Sequence, residues 1–267
     1  MYSVAQANAI FGIQNSTKQI NKYTEQLNTG LRINRAADDA SGMAIANQLK
    51  SQANGLGQAI RNTNDGISLM NIADSALQEY SDILQQIRDK ASQAVSDSNS
   101  DDSRAALKAD IDALVASAQK ISTQTQYNGI TLLDGTFTDK KFQTGAYSGQ
   151  TTTVTIDSAQ VADLGIDALA VDTSDNASTS LTSIDAAIKS LDKIRSGIGS
   201  TTQGFESRVR NMTTTKVNVE SAEGQIRNAD EAEARAQVDN WNIRNQAATF
   251  AYQMAQQTQQ NLLRLFQ

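Results

Sequence analysis

Within "LRINRAADDASG", residues 31–42, four charged side chains fall in eight positions: Arg32, Arg35, Asp38 and Asp39. Two guanidinium groups and two carboxylates so close together could clamp an anion, exchange a proton, or hold two pieces of backbone at a fixed angle. Neighbouring residues on a helix point about 100° apart, so Asp38 and Asp39 do not converge on one substrate atom. The same holds for Asp101 and Asp102, and ion-paired or solvated carboxylates are the plainer reading of both pairs. The stretch "DSNSDDSRAALK" sets Asp97, Asn99 and Asp101 at alternate positions, as a calcium loop would. That loop needs glycine where Asp102 stands and a bidentate glutamate where Lys108 stands, so an inter-helix turn is expected instead. The chain contains no His and no Cys. Their absence removes the usual general base, the thiol nucleophile and the soft metal ligands. No enzyme chemistry, metal or cofactor is expected.

The elements that position these groups read as long helices. There is no proline in 267 residues, and proline is the residue that breaks a helical ladder. Residues 3–33 carry Ile13, Ile20, Tyr23, Leu27 and Leu31 at helical spacing. After an interruption expected at Gly55 and Gly57, Ile67, Met70, Ala73, Leu77, Tyr80, Leu84, Ile87, Ala91 and Ala94 form one stripe ending near "SDSNSDDS". The spacing predicts a further helix with Ser103 as its N-cap and a heptad seam through Leu107, Ile111, Leu114, Ala118 and Ile121. Helical spacing overrides the turn that "NDG" at 64–66 would suggest. Residues 128–172 hold the strand-like sequence, with Val154 and Ile156 alternating among threonines, and one small β-hairpin region is expected there. Helix resumes near Leu181. Phe205, Val209, Met212, Lys216, Val219, Glu223 and Ile226 continue its seam. The last segment places Ala247, Ala251, Met254, Thr258, Leu262 and Leu265 on one stripe.

The expected fold is mainly α: a long antiparallel helical bundle or coiled coil with terminal helices and a small β-hairpin region. Two helices from the front half and one from the back half make the bundle. The outermost segments are left with a stripe and no partner inside it, and an interface role for Trp241 and "NLLRLFQ" follows. Charge is placed to match. Residues 1–50 hold five Lys/Arg and three Asp/Glu, residues 233–267 hold three and two, and the middle carries 15 basic against 24 acidic groups. An acidic middle argues against nucleic acid. No apolar run approaches the roughly 20 residues of a membrane span, and "MYSVAQANAIFGIQNS" lacks the basic start and apolar stretch of a secretory signal.

"LRINRAADDASGMAIANQL", "RNTNDGISLMNIADSAL", "TQYNGITLLDG" and "QTQQNLLRLF" together resemble bacterial flagellin, over about residues 1–135 and 181–267. The resemblance implies a subunit that polymerises into the extracellular flagellar filament for swimming motility, exported without a cleaved signal peptide. It also implies the layering: residues 1–45 with 233–267 as a terminal coiled coil lining the inner layer, and 46–232 as the helical bundle with its small β region at about 128–172. With so short a middle, the chain resembles a minimal flagellin. The charged cluster then reads as the connector between layers, with Arg32, Arg35, Asp38 and Asp39 in ion pairs within and between subunits that hold its angle. The expected polymerisation interface is Ile10, Ile13, Ile20, Leu27, Trp241, Met254, Leu262, Leu263, Leu265 and Phe266. A terminal segment with one stripe and no neighbours cannot offset its ordering entropy, so order there is expected to depend on surrounding copies.

The partners implied are other copies of the chain, an export chaperone, and the cap and hook-junction proteins; neither nucleic acid nor membrane is expected. Many flagellins are also bound by Toll-like receptor 5, through the helix matching "LQQIRDKASQAVSD". Strongly recognised relatives carry arginine at the position of Gln86 and leucine at that of Lys90, while Arg88 is matched, so weak recognition is expected. Ser148, Thr151, Thr152, Thr153, Ser178 and Ser180 are accessible candidates for glycosylation. The alternatives are a hook–filament junction protein, whose connector often carries the proline this chain lacks, and a chemoreceptor-like signalling hairpin, which would need an input domain or membrane span.

Overall fold

The computed structural model describes residues 4–265, with side chains through residue 261. Five helices follow in order: α1 (Val4–Thr29), α2 (Ala40–Val95), α3 (Asp101–Gln124), α4 (Ser174–Arg227) and α5 (Glu231–Leu265). Four short strands lie between α3 and α4: β1 (Gln126–Tyr127), β2 (Ile130–Thr131), β3 (Lys140–Gln143) and β4 (Thr151–Val154). The chain divides into two compact units, residues 1–53 with 217–267, and residues 54–216.

In the unit of residues 54–216, α2, α3 and α4 share a core. The stripe read from the sequence is its spine: Met70, Ala73, Leu77, Tyr80, Leu84, Ile87, Ala91 and Ala94 are all 0% exposed. Leu107, Ile111 and Ala118 from α3 and Ile184, Leu191 and Phe205 from α4 close around it. The segment between α3 and α4 adds Leu132, Leu133, Phe137, Ile156 and Ile166 to the same core. It forms two antiparallel hairpins rather than the one expected: β1 with β2, and β3 with β4 in the register Lys140↔Val154 to Gln143↔Thr151. Arg104 on α3 is 7% exposed and donates from Nη1 to the Ala94 carbonyl and from Nη2 to the Ser96 carbonyl, at 3.2 Å in the second case. It satisfies the last carbonyls of α2, which have no partner inside their own helix.

Three boundaries differ from the sequence reading. Ser100, not Ser103, caps α3; it is extended, and its hydroxyl accepts from the Ser103 N–H. Acidic Asp101 and Asp102 then occupy the first turn, which suits the positive end of the helix. No break occurs at Gly55 and Gly57, because α2 runs unbroken for 56 residues. At Gly55 the missing side chain admits Ala146, whose Cβ would lie 3.1 Å from an added Cβ. Finally, α4 begins at Ser174, whose hydroxyl donates to the Val95 carbonyl at 2.7 Å.

In the other unit α1 and α5 run antiparallel. Gln6 Nε2 donates to Gln259 Oε1 at 2.7 Å, and Asn245 Nδ2 reaches Thr17 Oγ1 at 3.2 Å. Opposite Gly12, the Ala248 Cβ would stand 3.4 Å from an added Cβ. The covered positions fall at heptad spacing: Gln6, Ala9, Ile13, Ser16, Ile20, Tyr23 and Leu27 on α1, and Ala234, Val238, Trp241, Asn245, Ala248, Tyr252, Ala255 and Gln259 on α5. The seam is rich in polar and small residues.

Candidate functional site: the terminal helix pair and its connector

Several large apolar groups lie outside the seam. Val4 is 80% exposed, Phe11 72%, Ile243 67%, Phe250 64% and Met254 49%. On α5 the positions 243, 247, 250 and 254 step by 4, 3 and 4, two residues out of phase with the seam. A solvated helix face normally carries charge and polar groups. Here it carries aromatic and aliphatic ones, which is the mark of a surface awaiting a protein partner.

The interface residues expected from the sequence separate into three sets. Ile13, Ile20 and Leu27 lie half-buried in the α1–α5 seam, and Ile10 is half-buried beside it. Trp241 is half-buried on the seam side of α5, with the Arg244 guanidinium 4.7 Å from its ring centroid. Met254 is exposed together with Ala247, Ala251 and Thr258. The side chains of Leu262, Leu263 and Leu265, and all of Phe266, lie outside the described residues. Phe11, Ile243 and Phe250 were missed. Ile243 and Phe250 could have been found from the 4-3-4 spacing of 243, 247, 250 and 254, which shares Ala247 and Met254 with the stripe read at the end of the chain.

The connector is built from helix ends. Gly30, at φ +69°, closes α1 in the left-handed conformation that glycine adopts at little cost, and its N–H reaches the Gln26 carbonyl at 2.8 Å. Across from it, the Arg32 N–H donates to the Arg227 carbonyl at 2.7 Å and the Ala229 N–H to the Gly30 carbonyl at 2.9 Å. Ile33 is buried, at 1% exposure.

The four charged residues are not brought together as mutual ion pairs. Arg32 donates from Nη2 to the Ile226 carbonyl at 2.7 Å, capping the end of α4. Asp39 accepts from the Gly42 N–H at 2.8 Å, capping the start of α2. Among the described residues of this chain, Arg35 and Asp38 of the four make ion pairs, Arg35 with Glu25 at 2.9 Å and Asp38 with Lys22 at 3.9 Å. Asp38 also accepts from the backbone N–H of Asn34 and Arg35. Within the single chain, Arg32 and Asp39 meet backbone carbonyls and N–H groups left open at helix ends. A cavity of about 270 Å³ is lined by Lys22, Arg32, Asp38, Asp39, Asp230 and Glu233 among others. Among the described residues no group of three or more His, Cys, Asp or Glu could hold a metal ion.

On α2, Gln86 is exposed, Arg88 pairs with Asp185 at 2.7 Å and Lys90 with Asp110 at 2.7 Å. The Asp185 carboxylate raises the Arg88 pKa through a hydrogen bond and its charge. Of the hydroxyls proposed as accessible, Ser148, Thr151, Thr153 and Ser178 are exposed. Thr152 is half-buried and bonded to Thr144 at 2.9 Å. Ser180 is not accessible: it is 5% exposed, and its hydroxyl donates to the Ala170 carbonyl at 2.7 Å.

The chain's similarity to known proteins shows its family. The pattern described as the bacterial flagellin N-terminal helical region matches residues 2–138, and that of the flagellin C-terminal helical region matches residues 181–266. The chain belongs to the bacterial flagellin family. It is 35% identical to the flagellin of Halalkalibacterium halodurans over 246 residues, covering 91% of this chain and 90% of that protein. It is 52% identical to flagellin A of Helicobacter felis over 142 residues, covering 53% of this chain and 28% of that protein. It thus spans nearly the whole of the first relative and little more than a quarter of the second. The crystal structure of Bacillus cereus flagellin superimposes with a TM-score of 0.52 at 28% identity, covering 61% of this chain and 94% of that one. Flagellins are structural proteins, the subunits that self-assemble into the extracellular flagellar filament. Neither the hook–filament junction reading nor the signalling hairpin is favoured by these matches.

Proposed function

We propose that this chain polymerises into the filament through the outward apolar faces of α1 and α5, which form its inner layer. The observation that carries this is exposure: Phe11, Ile243 and Phe250 face water beside a seam that mixes apolar residues with Gln6, Ser16, Asn245 and Gln259. Seam residues Ile13, Ile20, Leu27 and Trp241 hold the pair in shape and lend their uncovered edges. A head-to-tail contact that does not close into a ring gives an open helical polymer. The connector sets the geometry of that contact by tying helix ends together through Arg32 and Asp39.

The test is Ile243→Ser with Phe250→Ser. Burial of a large apolar side chain is worth about 1.5–3 kcal/mol, so the pair should raise the concentration needed for assembly by roughly a hundredfold or more. Circular dichroism of the monomer should be unchanged. Filaments that form at the natural concentration, seen by electron microscopy and sedimentation, would refute the assignment.

Finer partners follow from the family. An export chaperone, cap and hook-junction proteins would meet the same α5 face, and the Ser pair should weaken their capture in parallel with assembly. Toll-like receptor 5 recognition is weak on this reading, because Arg88 and Lys90 are already held by Asp185 and Asp110. Reporter-cell signalling by monomer should rise on Gln86→Arg with Lys90→Leu; potent signalling by the natural sequence would end that part. Glycosylation narrows to Ser148, Thr151, Thr153 and Ser178, to be read by mass spectrometry of native filaments; a glycan on Ser180 would contradict it.

A further inference from the structure

The sequence contains the dipeptide Asn-Gly twice, at 54–55 and at 128–129. Asn followed by Gly is the pair most prone to intramolecular attack, because glycine puts no side chain in the way of its own amide nitrogen. The fold gives the two copies opposite surroundings.

Asn128 and Gly129 form the two-residue loop of the β1–β2 hairpin, at φ +49° and +78°. Both positive angles are what such a hairpin turn requires. The strands are only two residues long, paired as Gln126↔Thr131 and Tyr127↔Ile130. One further backbone bond, from the Leu132 N–H to the Thr125 carbonyl at 3.1 Å, follows them. Asn128 and Gly129 are exposed, and nothing lies within 4 Å of where a Gly129 Cβ would stand. Opening this turn sacrifices little buried surface.

Asn54 and Gly55 lie inside the 56-residue α2. An added Cβ on Gly55 would be 3.1 Å from the Ala146 Cβ, and the next residue, Leu56, is 6% exposed. Turning this peptide toward the Asn54 side chain means breaking α2 in mid-course and lifting it from its neighbours.

We propose that Asn128 is a self-modification site, converting to aspartate and isoaspartate in the folded chain while Asn54 is protected. The Gly129 amide nitrogen, its proton passed to water, attacks Asn128 Cγ. A C–N bond forms, and the Nδ2 group leaves as ammonia, closing a five-membered succinimide. Water then adds to one of the two ring carbonyls and reopens it to aspartate or isoaspartate. One ammonia is lost, one water is gained, and the turn acquires a negative charge; no oxidant or cofactor takes part. In the isoaspartate product the backbone is longer by one carbon, so the Tyr127↔Ile130 pairing cannot keep its register.

Trypsin supplies both sites on separate peptides, residues 121–140 for Asn128 and 51–61 for Asn54, each with one asparagine. The intact chain is incubated warm at mildly alkaline pH, digested briefly, and each peptide is followed for the gain of about one mass unit and for isoaspartate. Local opening sets the rate of attack, so peptide 121–140 should convert roughly tenfold faster or more than 51–61 in the folded chain. In concentrated urea the two should convert at comparable rates. Equal rates in the folded chain, faster conversion of 51–61, or no conversion of 121–140 would each overturn the proposal.

Discussion

Gly66 sits in α2 beneath two aromatic rings. An added Cβ would stand 2.7 Å from Phe205 Cε2 and 3.3 Å from both Phe142 Cδ1 and Cε1. The rings meet edge to face, with centroids 5.5 Å apart at 66°, and Phe205 is 1% exposed. They clamp β3 and α4 to α2. Gly66→Ala sets two effects against each other. Replacing a mid-helix glycine by alanine gains about 1 kcal/mol of helix propensity. Forcing a methyl into a filled core costs about 1–3 kcal/mol. At 2.7 Å the ring must move, and its own partner ring blocks the way, so the loss wins by roughly 1–2 kcal/mol. Gly204→Ala is the matched control on α4, where nothing lies within 4 Å of the added carbon; it should gain about 0.5–1 kcal/mol. Thermal unfolding of monomer, followed by far-UV circular dichroism, should move in opposite directions for the two variants, by about 2–4 °C per kcal/mol. Equal stabilisation by both would show that the aromatic pair yields freely and that the clamp is not one.

Arg104→Ala leaves the Ala94 and Ser96 carbonyls without their donor and opens space at the α2–α3 turn; a loss of about 2–4 kcal/mol in urea unfolding is expected. A loss under about 0.5 kcal/mol would place Arg104 among ordinary surface residues. Tyr80 is 0% exposed with its hydroxyl unpartnered, and burial raises its pKa above the usual tyrosine value. Tyr80→Phe should therefore stabilise by about 1 kcal/mol. Because the folded pKa lies above the unfolded one, the natural chain should lose stability as pH climbs past about 10, where the unfolded tyrosine ionises first. The variant should show a smaller alkaline decline; identical alkaline curves would refute the sign.

Much of the fold could be read from periodicity. The stripe from Met70 to Ala94 is buried throughout, and α2 runs through the "NDG" of 64–66 as the spacing required. What the sequence hid has physical reasons. Gly55 and Gly57 looked like breaks, yet Gly55 gives room for Ala146, a contact distant in sequence. Ser103 and Ser100 are equally good caps by type, and only backbone angle decides between them. The apolar stripe Ile13, Ile20, Tyr23 and Leu27 marked the α1 side of the α1–α5 seam, but its polar and small members, Gln6, Ser16, Asn245 and Ala248, gave no such signal. The contacts of Arg32 and Asp39 with helix ends were not legible, because charge is visible in a sequence and an open helix end is not.

The exposed apolar groups of α1 and α5 also have a consequence for the chain as a solute. With the assembly contacts proposed above, solubility limit and assembly threshold are not separate, because the same contacts govern both. The concentration of free chain coexisting with polymer is then a direct reading of those contacts, shifting about tenfold for each 1.4 kcal/mol removed. On that proposal, a change that makes the monomer more soluble by trimming Phe11 or Phe250 also makes the polymer dissolve in the same measure.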